Sequence, residues 1–309
     1  MKLLRTILFT LVLLAMLLFP AALWAQSGGA GLSFLKIGVG ARALGMGDAG
    51  VAGDDRGSAM YYNPALLADD DQAAITFTHN EWIEDISTEF IGVTLPARGW
   101  TFGIHLGLTS VGGIEIRDRP GEVLAETDNN NFAGGLSAAF AVAEGVDVGV
   151  TAKYVFEKIH VDEAGGYAFD FGVAVRPFSD GDLAHLRTGI TLANVGSMSE
   201  LASVATTLPM LLRYGAAYWI PIEAVKGALT VEANGLTLLE ESSTHLNLGI
   251  EFDYLGMVFL RAGYQTGYET KDISLGAGAM YGTLRFDYAF TPFSEVFGNA
   301  HTVALSVLL

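Results

Sequence analysis

The sequence predicts an all-β fold, a transmembrane antiparallel β-barrel of about 14 strands, and three observations carry that prediction. The chain is hydrophobic without containing a spanning helix: 51% of its 309 residues are apolar and mean hydropathy is +0.39. After residue 25, however, no apolar stretch approaches the roughly 20 residues that a helix needs to cross a bilayer. Apolar and polar residues instead alternate with period two over segment after segment, one face suited to lipid and the other to a polar lumen. The links between these segments tend to alternate between short and long, as they do when tight turns face the periplasm and loops face outward.

In chain order the first element is an export leader, residues 1–25. Lys2 and Arg5 precede an apolar run from Ile7 to Leu18, followed by Pro20 and small residues ending at Ala25. This order of charged, apolar and small-residue regions predicts a signal peptide cleaved after Ala25. Residues 26–71 form a second segment, rich in glycine and alanine and without sustained alternation, so they are read apart from the strands as a plug. Residues 72–309 then supply the barrel.

The clearest strands are Val146 to Glu157 and Thr244 to Tyr254. In the first, Val146, Val148, Val150, Ala152, Tyr154 and Phe156 share one face, opposite Asp147, Thr151, Lys153 and Glu157. Twelve further segments alternate less cleanly: Ala73 to His79, Thr88 to Leu95, Thr101 to Thr109, Phe132 to Val142, Tyr167 to Val175, Thr188 to Val195, Met210 to Tyr218, Ala228 to Asn234, Val258 to Gln265, Asp272 to Tyr281, Leu284 to Phe290 and Thr302 to Leu309. Links such as Ala97–Arg98–Gly99 and Gly282–Thr283 are short and belong to the periplasmic side. Ser110 to Asn131, Gly196 to Leu208 and Thr291 to Ala300 are long and belong outside. Aromatic residues near strand ends predict two interfacial girdles, with Trp100, Tyr218, Trp219, Tyr254 and Tyr281 on the inner side and Trp82, Tyr167, Tyr264 and Tyr268 on the outer.

Composition excludes several functions. With 34 acidic against 17 basic residues, a net charge of −17 would repel nucleic acid. The absence of cysteine excludes disulfides and thiolate metal sites. No catalytic spacing of serine, histidine or carboxylate occurs, so no enzyme and no cofactor is expected. His160, Asp162 and Glu163 form a polar loop tip. Gly38 to Ala43 and Gly45 to Gly50 imitate a dinucleotide fingerprint but lack the strand and helix it requires. Asp69, Asp70 and Asp71, near Asp54 and Asp55, read as a solvated periplasmic turn. The inward faces carry charges of both signs, among them Lys153, Asp170, Glu232, Glu251, Arg261, Arg285 and Asp287, which either pair across a closed lumen or line a pore. A polar lumen offers no continuous apolar tunnel, so a hydrophobic ligand would have to leave sideways.

Two stretches are distinctive: Phe34 to Ala49, FLKIGVGARALGMGDA, and Ser58 to Leu66, SAMYYNPAL. Together they resemble the opening of PorV/PorQ-like proteins, a branch of the FadL-like outer-membrane barrels. The positions that carry the resemblance are Gly40, Ala41, Arg42, Gly45, Met46, Gly47 and Ala49, then Tyr62, Asn63, Pro64 and Ala65. The resemblance implies a barrel in the bacterial outer membrane with its N-terminal segment folded into the lumen as a hatch. It also implies one of two roles. PorV-type members are non-enzymatic components of type IX protein secretion and surface attachment, with secretion-system subunits and exported cargo as partners. FadL-like transporters instead pass fatty acids or other hydrophobic small molecules. Within the hatch motif, Arg42 is expected to pair with lumen carboxylates, Gly45 and Gly47 to permit close backbone approach, and Pro64 to fix a turn after Asn63.

Overall fold

The computed structural model describes residues 31–53, 57–116, 121–123, 125–160, 162–201, 206–268, 270–294 and 298–309. The leader, its cleavage point, and Asp54 and Asp55 lie outside the described residues. Fourteen strands follow one another: β1 (Ala74–Glu81), β2 (Ile86–Ala97), β3 (Trp100–Ile116), β4 (Ala125–Ala143), β5 (Val146–Ile159), β6 (Asp162–Val175), β7 (Leu186–Met198), β8 (Leu211–Ile222), β9 (Gly227–Leu238), β10 (Ser243–Tyr254), β11 (Val258–Thr266), β12 (Ile273–Tyr281), β13 (Leu284–Pro292) and β14 (Asn299–Leu308). Each pairs antiparallel with its neighbours in sequence, and β14 closes on β1 from Ala74↔Leu308 to Glu81↔His301. Closure leaves no edge strand with unpaired backbone.

Alternation places the side chains as the sequence predicts. On β3 the outward row Phe102, Ile104, Leu106 and Leu108 is exposed, while Thr101, His105 and Thr109 between them are buried. The same holds on β10, where Leu246, Leu248 and Ile250 face out and Asn247 and Glu251 face in. A continuous outer surface of large apolar side chains is stable only against lipid, so the barrel spans the outer membrane. Inward hydroxyls and amides satisfy one another across strands, as in Ser137 with Thr151 at 2.7 Å and Thr302 with Asn80 at 2.9 Å.

Two expectations need correction. The long link from Ser110 to Asn131 is mostly strand: β3 and β4 continue pairing to Ile116 and Ala125 past a bulge between Val111 and Ile114. These residues rise beyond the lipid, where nothing imposes hydrophobic alternation, so the pattern fades while the ladder persists. The aromatic girdles are also thinner than expected. Trp100, Tyr167, Tyr254, Tyr264 and Tyr281 are exposed on the outer surface. Trp219 instead turns inward to pack with Val51, Ala52 and Ala217. Trp82 and Tyr268 are half-buried at the mouth on either side of the Lys271 ammonium, at 5.0 and 4.5 Å.

Residues 31–53 and 57–73 lie within the barrel. Gly31 donates to Thr207 O at 3.1 Å, and Lys36 pairs with Glu241, both on outer loops. A short helix, Ala41–Gly45, packs against β11 to β14. The chain then crosses to a helical turn, Ala59–Tyr62, and a 3-10 helix, Pro64–Asp69, which packs against β3 to β6 before β1 begins at the opposite end.

Candidate functional site

The residues singled out by the N-terminal motif fall into two interior clusters joined to each other. In the first, Gly40 takes φ 86° ahead of the short helix. Ala41 is buried beside Leu44, Ala289 and Ala304. Arg42 makes a bidentate contact with Glu251, Nη2 to Oε1 at 2.9 Å and Nε to Oε2 at 3.1 Å. Glu251 also accepts from Arg261 Nε at 2.5 Å, Arg261 reaches Asp287 at 2.8 Å, and Arg285 meets Asp287 at 2.7 Å. Three guanidiniums and two carboxylates thus pair in a closed interior network, which is how charges withdrawn from water are held.

Gly45 and Gly47 bring this segment onto the wall. A Cβ on Gly45 would lie 3.0 Å from Gly276 Cα, and Gly47 combines φ 72° with a Cβ position only 2.9 Å from Leu248 O. The Gly47 N–H donates to Ser274 Oγ at 2.9 Å. Met46 is fully buried between them.

In the second cluster Asn63 caps the 3-10 helix. Its Oδ1 accepts from Ala65 N at 3.1 Å, with Pro64 at the first helical position, where no N–H is needed. Its Nδ2 donates to Val51 O at 2.9 Å and Val173 O at 3.1 Å. Tyr62 donates to Asp48 Oδ1 at 2.6 Å. Asp48 and Val51 follow the first cluster, so Tyr62 and Asn63 tie the two clusters together.

At the periplasmic end Asp69 is not a solvated turn residue. It lies between Arg176 Nη1 at 2.5 Å and Arg187 Nη1 at 2.6 Å, and Arg187 also donates to Ala52 O at 2.6 Å and Gly53 O at 2.5 Å. Among the described residues no group of acidic and histidine side chains is arranged to hold a metal ion.

Between the interior segment and β2 to β5 lies a predominantly apolar cavity of about 30 Å³, walled by Phe34, Leu35, Ile37 and Val39 on one side and by Phe90, His105 and Ala133 on the other. Phe90 stacks on His105 with ring centres 5.8 Å apart. Lys153 also borders it, neutralised by Asp170 at 2.7 Å. The Tyr61 hydroxyl shares its single proton between the carbonyls of Leu35 and Ile37, at 2.9 and 2.8 Å. His105 and Lys153 also border a groove of about 370 Å³ on the lipid face, lined by Leu106, Leu136, Tyr154 and Phe169. Between cavity and groove the wall carries glycines on neighbouring strands, His105 pairing with Gly135, Leu106 with Gly134 and Gly107 with Ala133, and the side chains of His105 and Phe132 lie over Gly135 and Gly134.

Sequence reasoning placed Lys153 on the lumen face but did not single out His105, Phe90, Tyr61 or the wall glycines. The one available signal was that His105 interrupts an inward row of small residues, Thr101, Gly103, Gly107 and Thr109. The grouping itself arises from β3, β4 and β5 meeting the residues 34–39 stretch, which no local pattern encodes.

No protein-family model matches the chain, and no curated protein resembles it in sequence. Solved structures resemble it in fold. The CymD monoaromatic hydrocarbon channel aligns over 91% of this chain and 98% of its own, with 14% identity and a TM-score of 0.58. The likeness is one of fold, a closed antiparallel outer-membrane barrel. A deltaS2 mutant of the TodX monoaromatic hydrocarbon channel aligns over 88% of this chain and 97% of its own, with 10% identity and a TM-score of 0.50.

Proposed function

We propose that this barrel is a passive, non-enzymatic channel that carries small hydrophobic molecules across the outer membrane, with the N-terminal segment, residues 26–71, as its hatch. The observation that carries this reading is the apolar cavity beneath the hatch, backed through a glycine-thinned wall by a lipid-facing groove. A charged, paired lumen bars a greasy path straight down the axis, whereas around Gly107, Gly134 and Gly135 the wall separating cavity from bilayer is thinnest, and lateral exit there would need the β3–β4 pairing to part. The cavity is narrower than a hydrocarbon, so loading requires Phe34 and Leu35 to shift. The fold likeness to two monoaromatic hydrocarbon channels supports the same reading.

The secretion role implied by the motif has less behind it. The motif residues are buried against the barrel interior and against each other, so they account for hatch packing in either type of protein and present no surface to a subunit or cargo.

The test is accumulation of radiolabelled toluene by intact cells of a porin-deficient Gram-negative host. Expression of the barrel is expected to raise the initial rate several-fold over an empty vector. Gly134→Leu, which fills the lipid-facing groove, is expected to return it toward the control while the protein still assembles. Equal rates with and without the wild-type barrel would reject the channel.

A further inference from the structure

The polar groups around the cavity are almost all engaged. The Tyr61 hydroxyl is held by two backbone carbonyls, the Thr88 and Thr109 hydroxyls bond each other at 3.0 Å, and Lys153 is bound to Asp170 and Asn194. His105 is the exception: it is 4% exposed, and its Nδ1 is buried with no hydrogen-bond partner among the described residues. A residue lining a pocket whose other polar groups are engaged therefore carries one open hydrogen-bonding atom, on a ring stacked against Phe90.

Resting on the channel reading above, we propose that the pocket selects aromatic molecules bearing a single uncharged hydroxyl, the phenol class, with His105 as the residue that binds the hydroxyl. A pure hydrocarbon would leave Nδ1 unpaired in a site shut off from water, which a buried polar atom resists. A hydroxyl satisfies it in either imidazole tautomer, because it both donates and accepts. A carboxylate is disfavoured. The nearest cation, Lys153, is already neutralised by Asp170, so an anion would enter without a free counter-charge. Phe90 and His105, whose rings stack with centres 5.8 Å apart, both line the cavity and offer flat contact to an aromatic ring.

The experiment is competition against radiolabelled toluene uptake in the same cells, using p-cresol, p-xylene and p-toluate, which share a ring and a methyl group and differ in the second substituent. For the wild-type barrel, p-cresol is expected to inhibit at a concentration about tenfold lower than p-xylene. Simple partitioning into lipid would favour p-xylene, so the expected order runs against that bias. In His105→Phe the preference should vanish, read as the ratio of the two inhibitory concentrations so that any change in toluene uptake itself does not enter. In His105→Gln, which keeps a hydrogen-bonding group, it should survive, and this second variant decides the matter where the first fails to assemble. Equal potency of p-cresol and p-xylene on the wild type, as a trapped water on His105 would produce, overturns the inference and leaves the channel standing. Inhibition by p-toluate as strong as by p-cresol overturns it too. No toluene uptake by the wild type rejects the channel and the inference together.

Discussion

At Arg42 a guanidinium and the Glu251 carboxylate meet edge to edge, with side chains only 2% and 8% exposed. Removing one member of such a pair costs roughly 3–5 kcal/mol, and Glu251 keeps Arg261, which places Arg42→Ala near the lower end. The expected result is a loss of hydrogen-exchange protection over residues 41–47 of about a hundredfold, with higher conductance in planar bilayers. Unchanged protection would mean that packing alone seats the segment. Asn63→Ala should cost about 1–2 kcal/mol through the lost cap, read in the same experiment at residues 63–69. Much of this was legible at the residue scale: an arginine among glycines must find an anion, and Asn-Pro is a helix start. Which carboxylate answers Arg42 was not legible, because Glu251 is brought to it only by the closure of the barrel. His105 was hidden for the opposite reason, since a lone histidine carries no spacing from which to argue.

Among the elements, turns and close approaches separate glycines of similar backbone into costly and cheap ones. Gly47 and Gly99 both have positive φ, at 72° and 84°, but Gly47 abuts Leu248 O while nothing lies within 4 Å of a Cβ on Gly99. Gly47→Ala is expected to unseat the interior segment and raise conductance. Gly99→Ala should cost about 1 kcal/mol in a periplasmic turn and leave conductance alone. Equal effects of the two would remove the case for a tight hatch-to-wall contact. All fourteen strands could be read from the sequence, because lipid on one side and packed polar groups on the other force a period of two. Their outer ends could not, as β3 and β4 show, and neither could the face chosen by Trp82, Trp219 and Tyr268, since nearness to a strand end says nothing of which way a ring turns.

The molecule as a whole is inverted relative to a soluble protein, with apolar residues outside and hydrogen-bonded polar ones within. Leu136 is 64% exposed on the outer face of β4. Leu136→Arg should destabilise the barrel by about 2–4 kcal/mol in lipid and by much less in a detergent micelle that admits water around the guanidinium. Equal costs in the two media would argue that this face does not meet hydrocarbon. The tie between Tyr62 and Asp48, and that between Asn63 and Val51, have a mechanical meaning. One half of the interior segment is fastened to β11 to β14 and the other to β3 to β6, so the joined pair spans the cylinder like the crossbar of a wheel. A strained rim transmits its load through such a bar, so distortion of the thin wall at Gly134 and Gly135 should be felt on the far side of the ring, at Gly45 and Gly276, as a change in spacing.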